Sequence, residues 1–140
     1  MKYDIKQYIV INNKADWSKG KIASQVAHAS MAIFMRKDHE GVHWHFTDNK
    51  DALHISITPE MHEWLRGSFA KVILKADGID ELKRLKAVCL DFHVPFSWIK
   101  DSGATQDVGE EGVTLGIGPI NVEDEKLKPL IDRLSELKLY

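Results

Sequence analysis

Residues 18–36, SKGKIASQVAHASMAIFMR, constrain the fold more than any other stretch of the chain. With successive residues about 100° apart around a helix, Ile22, Val26, Ala29 and Ile33 fall on one stripe, which predicts a helix with a buried apolar side. Lys21, Gln25 and His28 make a narrow polar stripe beside it. A third side carries Ala23, Ala27, Ser30 and Phe34, small enough for the most part to admit a close neighbour, so the helix is otherwise fit for burial. Lys19 and Lys21 sit at its first turn, where the helix dipole and free N–H groups already present positive charge. An anion there would turn that cost into a gain, and Gly20 between the lysines lets a ligand come close to the backbone. Solvent-directed lysines are the simpler alternative.

The rest of the chain supplies layers for this helix. Residues 8–12, YIVIN, form an apolar β-branched run that predicts a buried first strand. Asp16 and Ser18 are the candidate caps that turn the chain into the helix. A second strand is expected over 69–76, and a second amphipathic helix over 81–92, with Asp80 as its cap and Cys89 in its core stripe. Residues 94–100 predict a third strand and residues 113–117 a fourth, closed by Gly118-Pro119; a terminal helix follows over 123–137. The order predicts an α/β three-layer sandwich, a four-stranded mixed β-sheet with helices on both faces.

One domain accommodates all 140 residues, of which 44% are hydrophobic and 29% charged. The N-terminal apolar run is too short and too interrupted by charges for a signal or a membrane span. One cysteine and no targeting segment predict a cytoplasmic protein. The net charge of −2 excludes a protein that coats nucleic acid indiscriminately, but the charge is uneven. Residues 1–37 hold seven Lys or Arg and two acids, whereas residues 101–125 hold seven acids and no Lys or Arg. A local basic patch is therefore available to phosphates.

Residues 37–68 stand apart as an inserted, His- and Trp-rich segment. Five of the seven histidines lie here, with Trp44 and Trp64. His54 to Thr58 suits a short edge strand, and Thr58-Pro59 a helix start with proline at its first position. His43 and His45 would share a strand face, but no cysteine and no second ligand pair accompany them. A lid or an interface anchored by the tryptophans is the preferred reading. The tryptophans and the third side of the first helix also suggest a homodimer.

Loops after strand ends are where α/β sheets place their chemistry, and Asp101-Ser102-Gly103-Ala104-Thr105-Gln106 follows the third strand. It would meet the Lys21, Gln25 and His28 stripe if the first and third strands were near neighbours. A purely structural Asp-Ser-Gly turn is the alternative.

Three segments together carry a resemblance. The run GKIASQVAHA from Gly20 to Ala29, the DSGATQ loop from Asp101 and the LGIGP exit from Leu115 to Pro119 closely resemble the peptidyl-tRNA hydrolase 2 family, in the same order and relative placement. The likeness covers nearly all of the chain outside residues 37–68. It implies a four-stranded mixed sheet between helices and hydrolysis of the ester that joins a peptide, or an N-substituted amino acid, to the terminal ribose of tRNA. It places the family's functional positions on Lys21, Gln25, His28, Asp101 and Thr105, with Gln106 in the same loop; no metal or other cofactor is implied.

Each residue type suits ester hydrolysis. A cation or N–H donor stabilises charge that develops on the carbonyl oxygen, and Lys21 is the first candidate. Asp101 or His28 would accept a proton from water, and Thr105 would orient that water or donate to the ester. Lys19, Gly20, Gln25 and Gln106 are the candidate substrate contacts. Lys21 and Asp101 would also pair with each other. Ala104, where relatives often carry a basic residue, and the neighbouring acids Asp107, Glu110 and Glu111 favour two rival readings. These are a noncatalytic binding or regulatory protein on the same fold, and a hydrolase of another acyl ester or amide.

Overall fold

The computed structural model describes residues 4–38, 41–101 and 111–140. Strand β1 (Ile5–Asn12) leads through a 3-10 turn into helix α1 (Lys19–Ala32), which a second 3-10 turn extends over Ile33–Met35. Four short strands follow, β2 (Lys37–Asp38), β3 (Gly41–Val42), β4 (Trp44–Phe46) and β5 (Leu53–Ile55), then helix α2 (Pro59–Arg66). The chain continues as β6 (Lys71–Ala76), α3 (Ile79–Asp91), β7 (Phe96–Lys100), β8 (Val113–Asn121), α4 (Lys128–Ser135) and β9 (Lys138–Leu139).

The main sheet is mixed and has five strands in the order β7-β8-β1-β6-β9. Only β1 and β6 run parallel. The period-2 alternation of β1 sorts the two faces. Ile9 and Ile11 meet Ala29, Ile22 and Val26 of α1, whereas Val10 meets a core built by Leu82, Leu85 and Cys89 of α3 and Leu130 and Leu134 of α4. The expected layering is therefore present, but the sheet has a fifth strand. Leu139 and Lys138 pair with Leu74 and Lys75, and cover an edge of β6 that four strands would leave open. Two residues are too short to show a strand period, so the sequence assigns them to no element; the last helix, expected over 123–137, ends at Ser135.

Several local expectations change for stated reasons. Strand β8 runs through Gly118-Pro119 to Asn121, because the pairing shifts between Lys6↔Ile120 and Tyr8↔Ile117 and the resulting bulge accommodates a residue with no N–H. Ser18 caps α1, its hydroxyl accepting from Lys21 N–H at 3.3 Å, whereas Asp16 ends the preceding 3-10 turn in the left-handed region. Gly78, at φ +120, caps α3, and Asp80 lies inside its first turn, where its charge still favours the dipole. The buried stripe of α1 is as expected at Ala29 and Ile33, but Ala23 and Ala27 on the third side are exposed, because one sheet offers this helix only one surface.

Glycine at 116 is required by the way α1 sits on the sheet. A Cβ there would lie 2.5 Å from Ser97 Oγ and 2.8 Å from the carbonyl oxygen of Ala29. Ser97 in turn donates its hydroxyl to that carbonyl at 2.7 Å, which ties β7 to α1. Gly116→Ala is expected to destabilise the protein by about 1–3 kcal/mol through overpacking, visible as a lower urea midpoint at an unchanged m-value.

The segment 37–68 divides into two parts. Thr58 accepts from Met61 N–H at 3.1 Å and Pro59 opens α2, as the sequence predicts. This helix is part of the body, with Met61 and Trp64 fully enclosed. Strands β4 and β5 instead make a separate hairpin in which the rings of His45 and His54 stack 5.1 Å apart, with Trp44 and Phe46 on the opposite face. The expected exposed tryptophan anchors are absent: Trp17 and Trp64 are buried, and Trp44 and Trp98 are half-buried. Among the described residues no three His, Cys, Asp or Glu side chains are grouped to hold a metal.

Burial pushes the Cys89 thiol up to about 12. In native protein at pH 8 it is expected to resist alkylation that proceeds readily in denaturant. Because the folded state keeps this proton more tightly than the unfolded chain, the associated stability is whole below the ordinary thiol pKa near 9 and falls as pH rises from there towards 12.

Candidate active site

The candidate site lies where the first turn of α1 meets the end of β7. Lys21 Nζ pairs with Asp101 Oδ1 at 2.6 Å, and the two side chains are only 14% and 4% exposed. Asp101 directly follows β7 and its N–H donates to the Gly112 carbonyl at 2.7 Å, which extends the β7–β8 ladder and fixes the carboxylate against the sheet. Strands β1 and β7 are not neighbours, since β8 lies between them. Asp101 nonetheless reaches Lys21 because α1 packs across both β8 and β7. The anion that offsets positive charge at this helix start is therefore one of the protein's own carboxylates.

The polar stripe on α1 separates by depth. Lys21 is half-buried, Gln25 is buried, and His28 is exposed, with its Nε2 3.2 Å from Ser24 Oγ. Ala29, one turn beyond Gln25, rests over Gly116, so Gln25 lies on the same sheet-facing side of α1 as the contact with β8. Thr114 shares the β8 face of Gly116 and is fully buried. Among the described residues neither Gln25 Oε1 nor Thr114 Oγ1 has a hydrogen-bond partner. A polar seam thus continues inward from the ion pair between helix and sheet. Lys19 and Gly20 are exposed at the helix start, and a Cβ on Gly20 would meet no described residue within 4 Å, so the described part of the fold does not require glycine there. Thr105 and Gln106, with Ala104 between them and Gly103, lie outside the described residues.

Asn12, which the sequence reading passed over as the end of a strand, also supports the site. Its Nδ2 donates to the Glu111 carbonyl at 3.0 Å and to the Glu111 carboxylate, while its Oδ1 accepts from Lys14 N–H at 3.0 Å. The chain just before Gly112 is thereby tied to the end of β1. An Asn closing an otherwise apolar β-branched run was the available signal, because a buried amide must find partners.

A cation and a carboxylate in near-buried contact beside a helix N-terminus can polarise a carbonyl and accept a proton from water. The family model "Peptidyl-tRNA hydrolase PTH2" matches residues 5–137. The chain belongs to that family. A peptidyl-tRNA hydrolase of Methanopyrus kandleri is 32% identical over 130 residues, covering 93% of this chain and 92% of the relative. That of Sulfurisphaera tokodaii is 29% identical over 135 residues, covering 96% and 97%, and that of Saccharolobus solfataricus 33% over 116 residues, covering 82% and 86%. Among solved structures, an Agrobacterium protein of unknown function superposes with a TM-score of 0.53 at 10% identity, over 99% of this chain and 98% of the other, which shows a shared fold. For this member of the peptidyl-tRNA hydrolase family, the resemblance in the α1 and Asp101 segments coincides with the one deeply set ion pair between helix and sheet among the described residues. No described helix is long and apolar enough to cross a membrane.

Proposed function

We propose that this chain, acting as a single domain in the cytoplasm, hydrolyses the ester between the C-terminal carboxyl of a peptide, or of an N-substituted amino acid, and the terminal ribose of tRNA, with Lys21 and Asp101 as its central groups. The observation that carries the assignment of roles is the 2.6 Å Lys21–Asp101 pair, held nearly out of water at the start of α1. Asp101 accepts a proton as a water oxygen attacks the ester carbonyl carbon. The Lys21 ammonium and the helix N-terminus stabilise the negative charge that forms on the carbonyl oxygen. When the carbon–oxygen bond to the ribose breaks, the proton on Asp101 goes to the leaving ribose oxygen, giving free tRNA and a peptide carboxylic acid that releases its remaining proton to solvent as the carboxylate.

Gln25, Thr105 and Gln106 are read as groups that place the ester and the water, and Lys19 as a phosphate contact at the exposed helix start. His28 lies seven residues beyond Lys21, about 10 Å along the helix, and its exposed position suits a contact to substrate better than proton transfer at the Lys21–Asp101 pair. Release of N-acetyl-aminoacyl-tRNA by the purified protein tests the activity; complete lack of release under conditions where a known hydrolase works would reject it.

Gly20 gives a sharper test of how substrate approaches. Since no described residue meets a Cβ there, Gly20→Ala is expected to leave the thermal midpoint unchanged or raise it, helix propensity favouring Ala by up to about 1 kcal/mol. Displacing the bound ester by a fraction of an ångström should nevertheless lower kcat/KM roughly tenfold. Equal kcat/KM in the two proteins would show that substrate does not approach the backbone there.

A further inference from the structure

We infer that the groove along the open edge of β7 receives the single-stranded 3′ end of the tRNA. The inference rests on the peptidyl-tRNA reading above and adds where the nucleic acid lies. The groove has a volume of about 490 Å³ and is lined by Arg36, Lys37, His43, Lys86, His93 and Trp98, with no Asp or Glu among its described lining residues. This concentration of basic groups belongs to a chain whose net charge is −2, so it is a local feature of the surface.

Two of the cations stand against aromatic rings. Lys86 Nζ lies 4.8 Å from the centre of the Trp98 ring, and Lys37 Nζ lies 5.7 Å from that of Trp44. A cation beside a π-face is the pairing that single-stranded nucleic acid uses, with phosphate on the ammonium and base on the ring. A peptide of arbitrary sequence would gain little from so many basic groups.

The groove also leads to the candidate site. Among the described residues β7 ends the sheet, and Ile99 lines the groove two residues before Asp101, about 7 Å at the rise of a strand. A strand of RNA whose 3′ ester lies at Lys21 and Asp101 can therefore run back along β7. The competing occupant is the peptide. The Pro95 carbonyl and the Asp101 N–H both bond towards β8, so the intervening peptide groups of Phe96, Trp98 and Lys100 face the open edge and could pair with an extended chain. The basic lining favours RNA.

The test uses the full chain and its Lys37→Gln/Lys86→Gln variant, with Lys126→Gln, an exposed lysine outside the groove, as the charge control. Binding is measured across salt with deacylated tRNA that has an intact 3′ end and with the same tRNA trimmed of its unpaired 3′ nucleotides. For intact tRNA the double variant is expected to weaken binding about tenfold and to flatten the log K against log salt slope by about 1.4, two single-strand phosphate contacts at about 0.7 each. For trimmed tRNA the two proteins should bind alike, and Lys126→Gln should match the parent throughout. Equal binding of intact tRNA by parent and double variant overturns the inference. So does a KM increase in the variant that appears only when N-acetyl-aminoacyl-tRNA is replaced by substrates with longer peptides, which would assign the groove to the peptide. A parent protein that binds intact tRNA as described but releases no acyl group refutes the hydrolase reading and leaves the groove in place.

Discussion

Asp101→Asn is expected to lower kcat/KM for N-acetyl-aminoacyl-tRNA by about 10²–10⁴, the range for loss of a positioned proton acceptor. The amide keeps nearly the shape of the carboxylate and can still take its place beside Gly112, so the backbone bond from Asp101 N–H to the Gly112 carbonyl is retained. Lys21→Ala should lower kcat/KM by about 10²–10³ through loss of charge stabilisation at the carbonyl oxygen. Both variants leave one charge of a nearly enclosed pair without its partner, which costs up to about 3–5 kcal/mol in a fully buried setting. Activity must therefore be compared below each variant's own melting transition, followed by circular dichroism. Lys21→Ala/Asp101→Asn supplies the decisive control, because it removes both charges. If the pair were only structural, the double variant would recover activity along with stability. The proposed mechanism requires recovery of stability alone.

Trp64→Ala is the substitution expected to cost most in stability, about 3–5 kcal/mol. Its ring is enclosed, stacks 6.0 Å from Phe34 at the end of α1, lies 4.4 Å from Phe69, and has Lys71 Nζ 4.9 Å above it. Its indole N–H donates to the Ala70 carbonyl at 2.7 Å, which sets the turn into β6. For a chain of this length the loss corresponds to a fall in Tm of roughly 10–20 °C. Trp64→Phe separates the contributions: the ring contacts are largely kept, and removal of the indole donor should cost about 1–2 kcal/mol. A Tm for Trp64→Ala within a few degrees of the parent would show that α2 is peripheral to the cooperative unit.

The contrast between Trp64 and Trp44 explains why the segment 37–68 was the least legible part of the sequence. Thr58 and Pro59 announce a helix through local chemistry, and α2 begins there. Whether its tryptophan then points into the body or out to a partner depends on the sheet beneath it. Trp64 packs inward, whereas Trp44 is half-buried on the separate β4–β5 hairpin. Similarly, the polar stripe of Lys21, Gln25 and His28 is a single row on a helical wheel, but the depth of each residue follows from where β8 and β7 cross under α1. His28 faces water and Gln25 does not.

The sequence by itself determined the helix within residues 18–36, its cap to within Asp16 or Ser18, the apolar stripe that fixes its sheet-facing side, and the strand–helix order that makes an α/β layer fold. These follow from short-range periodicity and capping, which are properties of neighbouring residues. It also singled out Lys21 and Asp101 through two motifs 80 residues apart. Only the tertiary structure decided that β8 lies between β1 and β7, that β9 closes the other edge of the sheet, and that Lys21 and Asp101 touch at 2.6 Å. Such contacts depend on strand order and on the way α1 crosses the sheet, and no local pattern encodes either.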